Sequence, residues 1–144
     1  MPSPSTIDVL NQLYVLHHRS LPQYLHYAQP HEVRRNPPAQ AVLAQVVADQ
    51  SRTAERLATM VLDAGGLVDP GEFPMSFTGL HDLSVNYLVK QTIDRQRRHI
   101  AVCQRLADSL MMAPYAQAAA REAVGEAKGH LDNLLDLTAE PAAA

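Results

Sequence analysis

The chain has 144 residues, 47% of them hydrophobic and 19% charged, and a formal net charge of −3. A chain of this length buries about two thirds of its unfolded surface, so it can form a core without disulfides. The charge balance provides no overall electrostatic attraction to nucleic acid or anionic lipid, and neither partner is expected. The single cysteine excludes an internal disulfide and a multi-cysteine metal site.

The beginning of the chain has neither a basic segment nor an apolar one, and no run approaches 18 apolar residues. Secretory leaders and membrane-spanning helices need such segments. We therefore expect a cytoplasmic protein without a membrane partner.

Proline and glycine residues divide the chain into segments in which apolar residues recur at helical spacing. The first segment contains Pro22, where we expect a kink rather than a break. Residues 29–38 carry three prolines and are predicted to form a loop, whereas two glycines end the second helix. Helices are predicted over residues 5–28, 39–64, 79–112 and 115–138.

The connection between the second and third predicted helices differs from the others in length. Its residues 66–78 can span about 43–47 Å when extended, whereas a helix of 26 residues is about 39 Å long. The segment can therefore run the full length of a helix. We expect one domain, residues 1–144, that is all-α and forms a four-helix bundle with one long crossover between helices 2 and 3, similar to the ferritin-like arrangement.

Polar residues interrupt the apolar face of each predicted helix. A polar group that is buried without a partner costs about 1–3 kcal/mol, so we expect these residues to meet one another. Together they form a predicted polar layer of His17, Tyr24, Gln50, Thr53, Asn86 and His130.

Residues 10–28 and 49–66 resemble the first and second helices of bacterioferritins. In that family the first helix carries an iron-binding Glu and then a buried Tyr, and the second carries a Glu-x-x-His ligand pair. The residues at these four positions are His17, Tyr24, Gln50 and Thr53. Residues 54–57, Ala-Glu-Arg-Leu, fit the pattern that follows the ligand pair.

Residues 82–88 and 126–134 are similar to the third and fourth helices of the same family. Asn86 lies where a bridging Glu is expected, and Ala127 lies where the second Glu-x-x-His pair begins. The histidine of that pair is retained as His130. The resemblance implies a ferritin-like fold in which the di-iron site is degraded.

The resemblance also argues against the chemistry of the family. A di-iron centre of this type needs four carboxylates to balance the charge of two ions, and only His130 of the six ligands is retained, with His17 replacing a carboxylate. Ser51 lies at the position of the haem-ligating Met, so no haem is expected. The chain ends soon after the fourth helix, without the short fifth helix of cage-forming members, so a homodimer is expected.

The leading hypothesis is a binding or structural protein without ferroxidase activity. It has a candidate site at His17 and His130 for one transition-metal ion (Zn, Cu, Ni or Fe) or for a small ligand. The alternative is a metal-dependent oxidoreductase with a rearranged site. In that alternative the missing charge comes from a partner subunit or from Asp49 and Glu126, although each of these lies one position from the expected ligand and so about 100° around its helix.

No residue is assigned a catalytic role, and the remaining reactive residue types are expected to be structural. Cys103 lies on an apolar face and is expected to pack in the core. Thr78 or Asp82 is expected to cap the third helix, and the basic run 95–99 is expected to be solvated. The other histidines, expected at the surface, are His18, His26, His31, His81 and His99.

Overall fold

The computed structural model describes residues 4–80 and 83–138, and this part of the chain is helical without any strand. The predicted all-α class is therefore confirmed. A short 3-10 helix covers Met75–Leu80. The α-helices are α1 (Pro4–His18), α2 (Leu21–Ala28), α3 (His31–Arg34), α4 (Pro37–Asp63), α5 (Val85–Asp108) and α6 (Pro114–Asp136). None of the described helices combines the length and apolarity that crossing a membrane requires.

The first predicted helix, residues 5–28, is two helices, and the expected kink at Pro22 is a break. The hydroxyl of Ser20 accepts a hydrogen bond from the backbone N–H of Gln23 and caps α2. This cap places Pro22 in the first turn of a new helix, where its missing N–H is not needed. The predicted loop that follows contains the single-turn helix α3.

The third predicted helix is shorter than residues 79–112, because α5 begins at Val85 and ends at Asp108. Ser84 caps α5 by accepting a hydrogen bond from the backbone N–H of Tyr87. Thr78 instead belongs to the 3-10 helix and donates its hydroxyl to the Met75 carbonyl. Asp82, the other expected cap, lies outside the described residues.

Helices α5 and α6 are antiparallel neighbours. The side-chain amide of Gln96 donates to the carbonyl of Ala127, and that of Gln117 donates to the carbonyl of Ala107. Because a later residue of α5 pairs with an earlier residue of α6, the two helices run in opposite directions.

Helices α1 and α2 pack against α4 in the same antiparallel sense. The hydroxyl of Ser20 donates to the side-chain carbonyl of Gln50 at 2.6 Å, and the amide of Gln23 donates to the carbonyl of Val47 at 3.2 Å. These contacts align the junction between α1 and α2 with the middle of α4.

The connection between α4 and α5 lies against α1 and α2. The side chain of Asn11 donates to the Asp69 carbonyl at 3.2 Å and accepts from the Asp69 backbone N–H at 2.9 Å. Further along, the rings of Phe73 and Phe77 pack on the ring of Tyr24, with centroid separations of 5.3 and 5.6 Å. Successive residues of the connection therefore contact successive residues of α1 and α2.

The paired hydrogen bonds of Asn11 predict that this side chain holds the connection in place. Asn11→Ala is expected to lower the free energy of unfolding in urea by about 1–2 kcal/mol relative to Asn133→Ala. Asn133 is an exposed residue in the last turn of α6, and its substitution controls for part of the effect of the higher helix propensity of alanine. Equal stability of the two variants would show that the connection is not held at Asn11.

Candidate functional site

Buried polar side chains lie at one level of the helices, between two apolar clusters. His17 near the end of α1, for example, lies between Leu13 of one cluster and Leu21, at the start of α2, of the other. On α5, Gln96 and His99 lie between Ile93 and Cys103 in the same way. The buried polar residues of this layer are His17, Gln50, Gln96, His99 and His130.

A cavity of about 10 Å³ lies within this polar layer, which is room for one water molecule or one ion. Its walls come from all four long helices. The residues that line it are His17, Asp49, Gln50, Thr53, His99, Ala123, Glu126, Ala127 and His130. The structure therefore brings together five of the residues that the sequence assigns to the site, namely His17, Gln50, Thr53, Ala127 and His130.

Two predicted members of the polar layer lie elsewhere. Tyr24 is buried in the second apolar cluster against Phe73 and Phe77. Asn86 is exposed and lies beside Leu137 at the end of α6. The assignment of Asn86 is wrong because α5 begins only at Val85, so its first turn lies at the end of the helix pair rather than at the polar layer.

The residues of α5 that do reach the layer are Gln96 and His99. Gln96 interrupts the apolar face of α5 in the sequence, as Gln50 does on α4. This interruption is the sequence feature from which Gln96 can be predicted in the layer. The sequence predicts His99 at the surface as part of the basic run 95–99, but this prediction is wrong because the side chain is only 6% exposed. It lies three residues after Gln96 and therefore on the same face of the helix.

His17 and His99 form the buried, neutral side of the site. The Nδ1–H of His17 donates to the Leu13 carbonyl at 2.8 Å, and the two imidazole rings meet edge to face with centroids 4.7 Å apart. Burial lowers the pKa of His17, and the neighbouring His130 lowers it further, against the opposing effect of the Leu13 bond. Burial holds the pKa of His99 well below its ordinary value, with smaller contributions from His17 and His130.

The acidic side of the site is centred on Asp49. The Nε2–H of His130 donates to Asp49 Oδ2 at 2.7 Å, and Arg52 Nη2 donates to Asp49 Oδ1 at 2.8 Å. Burial alone would raise the pKa of Asp49, but hydrogen bonds from His130, Arg52 and Gln45 outweigh it, so the pKa is lowered. Asp49 is therefore an ionised carboxylate at neutral pH.

Glu126 completes the acidic side of the site. Its carboxylate accepts from Arg52 Nη2 and from the hydroxyl of Thr53, both at 3.4 Å. The expectation that Asp49 and Glu126 point away from the site does not hold. Both reach the cavity from its partly exposed mouth, where their side chains are 15% and 36% exposed.

Three side chains of the acidic side could hold a metal ion. A carboxylate oxygen of Asp49, one of Glu126 and a ring nitrogen of His130 all lie within 4.8 Å of one another. The same carboxylates are now bridged by the Arg52 guanidinium, which is a cation itself. The arrangement can therefore bind one positive group, either the arginine side chain or an ion.

Gln50 contributes an unsatisfied polar group to the cavity wall. Its carbonyl oxygen accepts from Ser20, but its buried Nε2 has no hydrogen-bond partner among the described residues. A buried donor without a partner costs about 1–3 kcal/mol.

The remaining residues singled out in the sequence are not part of the site. Cys103 is fully buried, and its thiol donates to the Ala120 carbonyl. Burial raises the pKa of this thiol to about 11, which agrees with the packing role predicted for it. His26 and His31 are exposed, and His18 is half-buried. His81 lies outside the described residues.

Comparison with known proteins assigns no family to this chain. No family model, no curated protein and no solved structure matches it. The resemblance to bacterioferritins stays a prediction from the sequence, so the function has to be argued from the geometry of the site.

The buried imidazoles predict that acid destabilises the protein. Because the folded-state pKa of His17 and of His99 is lowered from the ordinary 6.5, the unfolded chain binds protons that the folded chain does not. The contribution of these two histidines to the free energy of unfolding is therefore constant well above the ordinary pKa of 6.5 and falls as the pH decreases below it, by up to about 1.4 kcal/mol per pH unit for each histidine. The pKa of Asp49 is also lowered, so its ionisation makes the free energy of unfolding depend on pH only below the ordinary pKa of 3.8.

Urea unfolding at pH 7.5, 6.5 and 5.5 measures this slope. His99→Gln is expected to reduce the slope between pH 6.5 and 5.5, whereas His31→Gln, at an exposed position, is expected to leave it unchanged. An identical slope in the wild type and in His99→Gln would mean that His99 is not buried in its neutral form.

Proposed function

We propose that this protein is a ferritin-like helical bundle that binds one divalent transition-metal ion and does not carry out the paired-iron chemistry of that family. The proposed ligands are Asp49, Glu126 and His130. The observation that carries the proposal is the convergence of their ligand atoms, all within 4.8 Å of one another, at a cavity with room for one ion.

The helix contacts support the ferritin-like bundle. Helix α4 is antiparallel to α1 and to α6, and α6 is antiparallel to α5, so α4 and α5 run in the same direction. A chain can join two parallel helices only by crossing the length of the bundle, and the segment between α4 and α5 lies along α1 and α2. One such crossover is the ferritin-like topology. The homodimer and the cytoplasmic location stay predictions.

The chemistry of the three ligands suits a borderline divalent ion such as Zn²⁺ or Fe²⁺. Protein zinc sites that bind substrate or water use three ligands of this kind, with bond lengths of about 2.0–2.2 Å. Ligands of one tetrahedral ion then lie about 3.3 Å apart. Asp49 Oδ2 and His130 Nε2, which are 2.7 Å apart, need to separate slightly, and the partly exposed Glu126 has room to approach.

The charge of the site also favours a single ion. The carboxylates of Asp49 and Glu126 balance one divalent cation once the Arg52 side chain, which is 68% exposed, moves into solvent. A di-iron centre needs about four carboxylates. Among the described residues only these two acids line the cavity, so a second ion would add uncompensated charge.

In the proposed site His17 lies on the cavity wall, and its ring nitrogens are not among the three converging ligand atoms. Its Nδ1–H is committed to the Leu13 carbonyl, and its ring packs on His99. The burial that lowers the pKa of both imidazoles keeps them neutral. They therefore line the site without adding positive charge that would oppose a bound cation.

Metal binding through His130 requires a change of protonation. The Nε2 atom now donates its proton to Asp49, and a nitrogen that carries a proton cannot coordinate an ion. The proton has to move to Nδ1 or leave the ring. Metal affinity is accordingly expected to decrease at acidic pH.

A mononuclear iron oxidoreductase is the second candidate function. Three protein ligands leave coordination positions open, as in iron enzymes that activate oxygen, and Asp49 and Glu126 supply the charge that this alternative needs. Oxygen uptake after addition of Fe²⁺ separates the two functions. Sustained uptake over many turnovers would favour the oxidoreductase over the binding protein. Metal binding without turnover would favour the binding protein.

Titration of metal-free protein with Zn²⁺, followed by calorimetry, tests the proposal. We expect one ion per chain, and an affinity at least about 100-fold lower in Asp49→Asn and in His130→Gln, because each loses a ligand. Arg52→Gln is expected to raise the affinity about two- to fivefold, because it removes the competing cation.

Arg56→Gln is the matched control for Arg52→Gln. Arg56 is also on α4 and pairs with Glu122 of α6, but neither residue lines the cavity. Its substitution is expected to leave zinc affinity unchanged. Two ions per chain, undiminished affinity in Asp49→Asn, or weaker binding in Arg52→Gln would each contradict the proposed site.

A further inference from the structure

A second and larger cavity lies on the other side of His99. Its volume is about 250 Å³, and it is enclosed by the junction of α1 and α2, residues 72–77 and the middle of α5. Among the residues that line it are Arg19, Arg95 and Arg98 and the apolar side chains of Leu21, Phe77 and Val102. His99 lines this cavity as well as the metal site.

Two of the three arginines are held in place by uncharged partners. Arg19 Nε donates to the backbone carbonyls of residues 70 and 71, both at 3.2 Å, and its guanidinium lies 4.8 Å from the ring centre of Phe73. Arg95 donates to the hydroxyl of Ser76, and its guanidinium lies 4.7 Å from the ring centre of Phe77. Stacking on an aromatic face orients a guanidinium without neutralising it.

The positive charge of this cavity is not compensated by nearby carboxylates. Within residues 4–80 and 83–138, no ion pair joins Arg19, Arg95 or Arg98 to an acidic side chain. Glu72 is the one acidic residue of the described chain that lines the cavity, and it is exposed. Three arginines against one glutamate leave a net charge of +2 on a partly apolar wall, which attracts an anion.

We propose that this cavity binds a small organic carboxylate with an apolar body. The guanidinium groups match a carboxylate, which arginine binds through two parallel hydrogen bonds, and the aliphatic wall matches the rest of the ligand. The cavity volume of about 250 Å³ has room for a ligand of roughly the size of an eight-carbon acid. The proposal is independent of the metal site, although the ligand would lie one side chain away from it.

Calorimetric titration of the full chain in the presence of a chelator tests this proposal separately from metal binding. The probes are octanoate, 1-octanol and octylamine, which share an apolar body and differ in the charge of the head group. We expect saturable binding of one octanoate per chain, and at least tenfold weaker binding of the alcohol and the amine. Absence of saturable octanoate binding, or equal affinity for octanol, would overturn the proposal while leaving the metal site untouched.

Neighbouring arginines on α5 provide a matched pair of variants. Arg98 lines the cavity and Arg97 does not, and both side chains are exposed, so neither substitution is expected to affect folding. Arg98→Gln is expected to weaken octanoate binding about fivefold, and Arg97→Gln less than twofold. Arg95→Gln, at a half-buried position, is expected to weaken it about tenfold or more. Equal weakening by Arg97→Gln and Arg98→Gln would show nonspecific attraction by the helix rather than binding in the cavity.

Discussion

Burying polar side chains in the middle of a helical core costs free energy unless they bond to one another or to a ligand. In this protein several members of the buried polar layer meet that condition across helices, since Gln96 of α5 bonds to the backbone of α6 and His130 of α6 bonds to Asp49 of α4, whereas Nε2 of Gln50 has no partner among the described residues. These bonds form only when the helices are aligned as they are. The layer therefore fixes the relative positions of helices that apolar packing alone would leave free to slide.

The protonation of the layer determines what it can bind. His17 and His99 are held neutral because burial disfavours their charged forms, whereas Asp49 is held ionised by its hydrogen bonds. The site thus presents two carboxylates beside two neutral imidazoles, and Arg52 balances the carboxylates from the solvent side. In the proposed site an incoming ion would compete with the exposed side chain of Arg52 rather than with a buried one.

Much of this arrangement could be predicted from the sequence. Proline and glycine positions gave the main helical segments, and interruptions of the apolar faces identified His17, Gln50 and His130. Hydrophobic periodicity shows which face of a helix a residue lies on, but not its level along the bundle. The sequence therefore predicts Asn86 in the polar layer, whereas Gln96 and His99 are the residues of α5 that reach it. The resemblance to bacterioferritins matches ligands position by position, so it does not identify acids at neighbouring positions. Asp49 and Glu126 reach the cavity from such neighbouring positions because they lie at its open mouth.

In the proposed site one ion, and not two, replaces Arg52 between Asp49, Glu126 and His130. Anomalous diffraction from crystals soaked in Co²⁺ would locate the ion directly. We expect one peak per chain, within bonding distance of these three residues, with the Arg52 guanidinium displaced into solvent. A pair of bridged peaks, a peak beside His17 and His99 without either carboxylate, or no peak with Arg52 still bridging the two acids would contradict it.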